Sequence, residues 1–284
     1  MREARHIAEI LVLSAILLAG CTGNAGGGPA DALQVTVSIP PQSTFVKRVG
    51  GEHVEVNVMV PAGASPATYE PTPAQLRALS EADAYVSISV PFEDAWLDRF
   101  AAANPDMTMV DTTKGIDRIG SPKHPDPHIW LSPKLVKVQA QTICDALAAL
   151  DPAHAENHRA NLDEFLGDVD ALDRDIRETL EGVERRRFMV FHPSWGYFAR
   201  DYGLEMVPIE VGGQEPSAAE LGRLVTLAKE QNIHVIFAQP EFSTQAAETI
   251  AQEINGEVLL ISPLAEDWFQ NMRRVAETLE QQLG

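Results

Sequence analysis

Cysteine is almost absent: Cys21 and Cys144 are the only two in 284 residues. Cys144 lies in an apolar helical stretch and reads as a small buried hydrophobe. With Cys21 assigned to lipid attachment below, the mature chain is left without an internal disulfide. An oxidising compartment permits such bonds without requiring them. Basic runs are missing as well. The net charge is −19 and the densest cationic stretch is Arg185-Arg186-Arg187, so the concentrated Lys/Arg that neutralises phosphates is not there and a nucleic-acid role is excluded. The acidity speaks mainly for solubility. No H-E-x-x-H, G-x-S-x-G or paired-acid motif occurs, and no tandem repeat. Only one long apolar run exists, at the amino end. What remains is the composition of a folded globular protein, 45% hydrophobic and 22% charged, long enough for one large domain or two ordinary ones.

At the amino end, Arg2 and Arg5 precede the apolar run Ile10 to Leu18, which closes in Ala19-Gly20-Cys21. The run is too short to span a bilayer and fits a secretory signal. Leu18-Ala19-Gly20-Cys21 resembles the lipobox of bacterial lipoproteins, which assigns residues 1–21 to a signal peptide and Cys21 to lipid attachment. Glu9 departs from that pattern. Residues 22–31, rich in glycine, read as a flexible tether. The expectation is an exported chain held to the membrane by its lipid alone, on a periplasmic or extracellular face.

Three zones follow. In residues 32–150, period-two β-branched stretches (Val35–Ile39, Val54–Val60, Ala84–Ile88) predict strands, while Pro73–Ala82 and Leu135–Leu150 predict helices. Residues 151–187 open on Asp151-Pro152 and place Leu162, Phe165, Leu166, Val169, Leu172, Ile176, Leu180 and Val183 three or four apart. That spacing predicts one amphipathic helix of about thirty residues, about 45 Å long. Residues 188–284 alternate again, with strands at Phe188–Phe191, Glu205–Ile209, Val235–Ala238 and Val258–Ile261, and helices at Ala218–Gln231, Ala246–Ile254 and Trp268–Leu283. The fold class is α/β: two lobes with parallel-type sheets, joined by a long rigid strut.

Two of the eight histidines stand in special settings. In Lys123-His124-Pro125-Asp126-Pro127-His128-Ile129-Trp130-Leu131, the prolines forbid a helix and hold the backbone stiff. His128 is delivered rigidly ahead of an apolar strand or turn, as a metal or catalytic site requires. In Phe191-His192-Pro193-Ser194-Trp195-Gly196-Tyr197, His192 follows a buried strand, where α/β folds place their ligand loops. One such histidine per lobe predicts a site between the lobes. His53, His154, His158 and His234 read as surface or packing residues. The Gly63-to-Pro73 loop, with glycine and proline after a strand, reads as a pocket wall; Trp130 and Trp195 are expected to wall the cleft beside the two histidines.

Ile39-Pro40-Pro41-Gln42, the Gly63-to-Pro73 loop, His128-Ile129-Trp130-Leu131-Ser132-Pro133, the strut, Phe191 to Tyr197, Gln214-Glu215-Pro216-Ser217 and Pro263-Leu264 carry a resemblance in order along the chain. The chain resembles the solute-binding lipoproteins of ABC-type zinc and manganese importers. The resemblance implies two α/β lobes on one long helix, a metal ion in the cleft, and delivery to a membrane permease by a monomeric receptor that is not an enzyme. His128 and His192 match two of the family's ligand positions. A third ligand, a histidine in the first loop, is replaced by Ala67 beside Tyr69, both expected in the cleft wall. A late aspartate is replaced by Ser262.

Two imidazoles leave a zinc site short of its usual three or four donors. Glu241, Asp267 and His124 are the candidates to complete it. Imidazoles favour Zn2+; a carboxylate-rich complement tilts toward Mn2+ or Fe2+. Two other readings stand beside the importer receptor: one that has lost its ion and binds a chelate, another solute or a surface partner, and a metal-dependent hydrolase.

Overall fold

The computed structural model describes residues 32–210 and 213–284; the signal peptide with Cys21 and the whole tether lie outside the described residues. The first lobe runs β1 (Leu33–Val37), α1 (Pro40–Gly50), β2 (Val54–Val58), α2 (Pro73–Ser80), β3 (Ala84–Ser87), α3 (Pro91–Ala103) and β4 (Thr108–Asp111). A small ribbon, β5 (Gly120–Ser121) and β6 (His124–Pro125), leads through a 3-10 turn, Ile129–Leu131, into α4 (Pro133–Leu150). After the 3-10 turn Pro152–His154 comes α5 (Ala155–Leu180). The second lobe comprises β7 (Arg187–Val190), α6 (Gly196–Tyr202), β8 (Glu205–Pro208), α7 (Ala218–Glu230), β9 (Val235–Ala238), α8 (Gln245–Glu253), β10 (Glu257–Leu260) and α9 (Trp268–Leu283).

Both large sheets are wholly parallel, ordered β2-β1-β3-β4 and β10-β9-β7-β8. Counted within each lobe the order is the same, second-first-third-fourth strand. The chain reverses direction across the sheet between β1 and β3, and again between β7 and β9. Crevices at the carboxyl ends of strands beside such a reversal are where open α/β sheets bind ligands. Parallel strands covered on both faces must be apolar throughout, and the inner ones are: Ala84–Ser87 is buried along its whole length, as are Phe188–Val190 and Ile236–Ala238.

The strut is 26 residues long, about 39 Å, and slightly shorter than the apolar period predicts because Asp151-Pro152 opens a 3-10 turn instead of the α-helix. Its stripe of Leu162, Phe165, Val169, Leu172, Ile176 and Leu180 is buried. That face packs on α1 and α4 of the first lobe and α9 of the second. Each such side chain removed from water contributes roughly 1.5–3 kcal/mol. One core cluster therefore runs from Val35 through Phe165 to Trp268 and Met272 without a break between lobes; a smaller cluster around Ile236 and Ile250 fills the outer side of the second lobe. Across the lobes, Trp130 Nε1 donates to the Pro263 carbonyl (2.7 Å) and Trp268 Nε1 donates to the Trp130 carbonyl (2.8 Å). Cys144 is buried on α4. Among the described residues, no helix is long and apolar enough to cross a membrane.

Candidate metal centre

His128 and His192 arrive at the cleft from different lobes. His128 precedes the 3-10 turn Ile129–Leu131, and Asp126 pins it there: Asp126 Oδ1 accepts from the His128 backbone N–H (2.9 Å) and lies 2.7 Å from its Nδ1. The loop is tied to the second lobe by Tyr197, whose hydroxyl donates to the Asp126 carbonyl (2.8 Å) and accepts from the Ile119 N–H (3.1 Å). Gly196 is needed for that approach, since a Cβ there would meet Ile119 Cδ1 at 2.9 Å and Asp126 Oδ2 at 3.1 Å.

His192 sits two residues past β7. The β7–β8 register pairs Val190 with Pro208, and the ladder continues through Ile209 N–H to the Val190 carbonyl and Glu210 N–H to the Phe191 carbonyl. Glu210 is thereby set beside His192, with Oε2 2.6 Å from Nδ1. Gln239 accepts from the His192 N–H and donates to its carbonyl, and Phe242 stacks on the ring at 4.7 Å.

Each imidazole thus has Nδ1 engaged by a carboxylate, which directs the Nδ1–H there and leaves Nε2 with its lone pair. The ring centres stand 5.3 Å apart at 71°. Two imidazoles on one tetrahedral ion, with bonds of about 2.0–2.1 Å, put their ring centres roughly 5 Å apart. Burial pushes the His128 pKa down, more than Asp126 holds it up, so the ring is neutral near pH 7, as a ligand must be.

The two rings share a cavity of about 110 Å³ with Ser65, Pro66, Ala67, Val90, Pro127, Trp130, Glu241, Phe242 and Leu264 among its lining residues. Most of that wall is apolar, so a charge inside is poorly screened. Glu241 is the carboxylate there. Its Oε1 accepts from Ser262 Oγ (3.3 Å); its Oε2 is buried with no hydrogen-bond partner, and burial raises its pKa. An unpaired carboxylate oxygen costs about 1–3 kcal/mol or more, and a cation held between it and the imidazoles removes that cost. Imidazole and carboxylate are donor types that divalent ions accept, although the ligand atoms of His128, His192 and Glu241 do not all come within 4.8 Å of one another.

The remaining sequence candidates divide between the cavity and other places. Ala67 and Trp130 line the cavity, whereas Tyr69 packs on Phe92 and donates to Gln75, and Trp195 is buried against Phe198. Asp267 is exposed and caps α9, accepting from the Gln270 N–H. His124 is exposed on the β5–β6 ribbon and does not line the cavity that holds His192 and Glu241, but it borders a separate groove together with Asp126 and His128. Asp126 and Glu210 went unread in the sequence. Asp126-Pro127-His128 carries a local signal, an aspartate two residues ahead of the N–H it accepts; Glu210 carries none without the strand register.

A family model described as "ZnuA: Zinc-uptake complex component A periplasmic" matches residues 35–282. The high-affinity zinc uptake system protein ZnuA of Bacillus subtilis is 30% identical over 272 residues, 88% of this chain and 85% of that protein. The manganese-binding lipoprotein MntA of Halalkalibacterium halodurans is 28% identical, over 88% of this chain and 87% of that one. A crystal structure of ZnuA superposes with a TM-score of 0.87 at 49% identity, covering 89% of this chain and all of the other. With a family match spanning nearly the whole described chain, the protein belongs to the ZnuA family of periplasmic zinc-uptake components.

Proposed function

We propose that this receptor captures zinc in its interlobe cleft through His128 Nε2, His192 Nε2 and Glu241, with water as the fourth donor, and passes the ion to an ABC-type permease while anchored through Cys21. Membership of the family makes the chain a metal-binding transport receptor and not an enzyme, so the hydrolase alternative falls away. The observation that carries the zinc assignment is the pair of carboxylate-held imidazoles facing one cavity with an unpartnered glutamate oxygen. Two nitrogens and one carboxylate suit a tetrahedral zinc ion better than an ion demanding six oxygens. Ala67 adds no donor, which makes Glu241 decisive. The chain's negative charge raises the local concentration of cations and so speeds encounter.

Competition titration against a chromophoric zinc chelator tests the reading. His128→Ala and His192→Ala are each expected to weaken zinc binding by at least about 100-fold, since loss of an outer partner alone costs 10–100-fold. Glu241→Gln should have a smaller effect in the same direction. Unchanged affinity in both histidine variants sinks the site. Zinc binding should also weaken as pH falls, because protons compete for His128; burial lowers the pKa of that ring, so its share of the loss begins at lower pH than for an ordinary histidine.

A further inference from the structure

A second cluster of ligand-type side chains lies at the opposite edge of the first lobe. The cleft is built on loops that follow the carboxyl ends of the strands, whereas His53 closes the 3-10 turn Gly51–His53 just ahead of the amino end of β2. β2 is five residues long, which sets the two places about 17 Å apart along the strand. Asp151 and His154 come from the junction between α4 and α5. One ligand atom from each of His53, Asp151 and His154 lies within 4.8 Å of the other two.

The arrangement is poorly satisfied as it stands. His154 Nδ1 is 2.7 Å from Asp151 Oδ2, and the His53 ring lies flat on His154 with centres 3.8 Å apart. His158, four residues further, meets His53 edge-on at 5.9 Å and is fully buried. Its Nε2 is 3.8 Å from Asp151 Oδ2, and neither ring nitrogen has a hydrogen-bond partner of good geometry; an interaction with the Val49 backbone holds its pKa up against the burial that lowers it. A buried polar side chain without partners calls for a physical reason. Three imidazoles grouped around one carboxylate, with one ring buried and unsatisfied, supply that reason if an ion joins them.

We propose that His53, Asp151 and His154, backed by His158 as the inner donor, form a second divalent-metal site, separate from the cleft and suited to a borderline ion such as zinc or copper(II). Three nitrogens and one oxygen are the donor types such ions select. In a tetrahedron with bonds of about 2.0–2.1 Å, neighbouring donors lie roughly 3.4 Å apart, so the 3.8 Å between His158 and Asp151 needs little contraction. The stacked rings must instead part by about 1 Å to reach the spacing of co-ligated imidazoles. His154, with its side chain 42% exposed, is free to turn. The amino end of α5 opposes a cation by a fraction of a kcal/mol, and the Asp151 charge offsets it. A bound ion would clamp the α1–β2 turn to the foot of the strut.

The test uses the full chain carrying His128→Ala and His192→Ala, so that the cleft is disabled. Equilibrium dialysis with elemental analysis should find one zinc bound per chain, and cobalt(II) should give the intense visible bands of a tetrahedral site. Adding His53→Ala or, as a gentler change, Asp151→Asn should abolish both signals while thermal melts of the metal-free protein stay unchanged. In the reverse experiment, His53→Ala/His154→Ala with an intact cleft should keep one zinc and lose the other. The proposal is overturned if the cleft-disabled protein binds no metal, or if its metal survives loss of His53 and Asp151. Neither result bears on the cleft, which the histidine substitutions there test by themselves.

Discussion

A single carboxylate stands behind each of the two cleft imidazoles. Asp126 and Glu210 touch no ion in the proposed site, yet each sets the tautomer and direction of a ligand. Asp126→Asn and Glu210→Gln should therefore each weaken zinc binding by about 10–100-fold while leaving the fold intact; isothermal titration against wild type reads the change, and full retention of affinity would reduce both residues to packing. Glu93 makes a separate prediction about pH. It is buried in the first turn of α3, where its carboxyl meets Ser38 Oγ, Tyr85 Oη and the N–H groups of Ile88 and Val90. Burial nonetheless outweighs these donors and raises its pKa from 4.5 to about 7. An acid whose pKa is higher folded than unfolded binds its proton more tightly in the native state, so its contribution is full in acid and is lost as pH rises from 4.5 to about 7. The loss amounts to about 3 kcal/mol. Urea melts of wild type and Glu93→Gln should show wild type losing ground to the variant between those pH values; parallel curves would refute the titration.

Among the elements, the strut carries most at stake. Phe165 lies 5.9 Å from Phe45 and 5.7 Å from Phe269, and so joins both lobes through one ring. Phe165→Ala should cost about 3–5 kcal/mol, measured as a lowered denaturant midpoint, and a loss below about 1 kcal/mol would mean the lobes hold each other without it. Local chemistry predicts a smaller effect at α7, where Ser217 and Glu220 form a reciprocal cap: Ser217→Ala should cost about 1 kcal/mol. The long apolar stripe made the strut legible, as did the alternation of the inner strands. Helices α1 and α3 were not read. Each opens on proline directly after a strand segment, at Pro40 and Pro91, and a helix of only three turns shows few repeats of its period. The apolar Ile129-Trp130-Leu131 proved a 3-10 turn, since three apolar residues cannot display any period.

At the scale of the molecule, the lobes are joined by more than the strut. The continuous core and the Trp130–Trp268 exchange of hydrogen bonds make wide hinge closure expensive, because opening would expose indoles and unpair buried donors. A compact chain of this length has a radius of gyration of about 19 Å. Small-angle scattering is expected to show that radius changing by only a few per cent when zinc is added, and a large compaction would count against a rigid receptor.

What the sequence by itself determined follows from short-range physics: the strand and helix periods, the two-lobe order, and the proline-stiffened delivery of His128 and His192. Such features are written in neighbouring residues. Only the tertiary structure decided which side chains share a space. Parallel register brought Glu210 to His192 across eighteen residues, a cavity gathered Glu241 while leaving Asp267 as a helix cap, and the α1–β2 turn met the foot of the strut to assemble His53 with Asp151 and His154. Residues distant along the chain become neighbours through packing, and no local pattern records that.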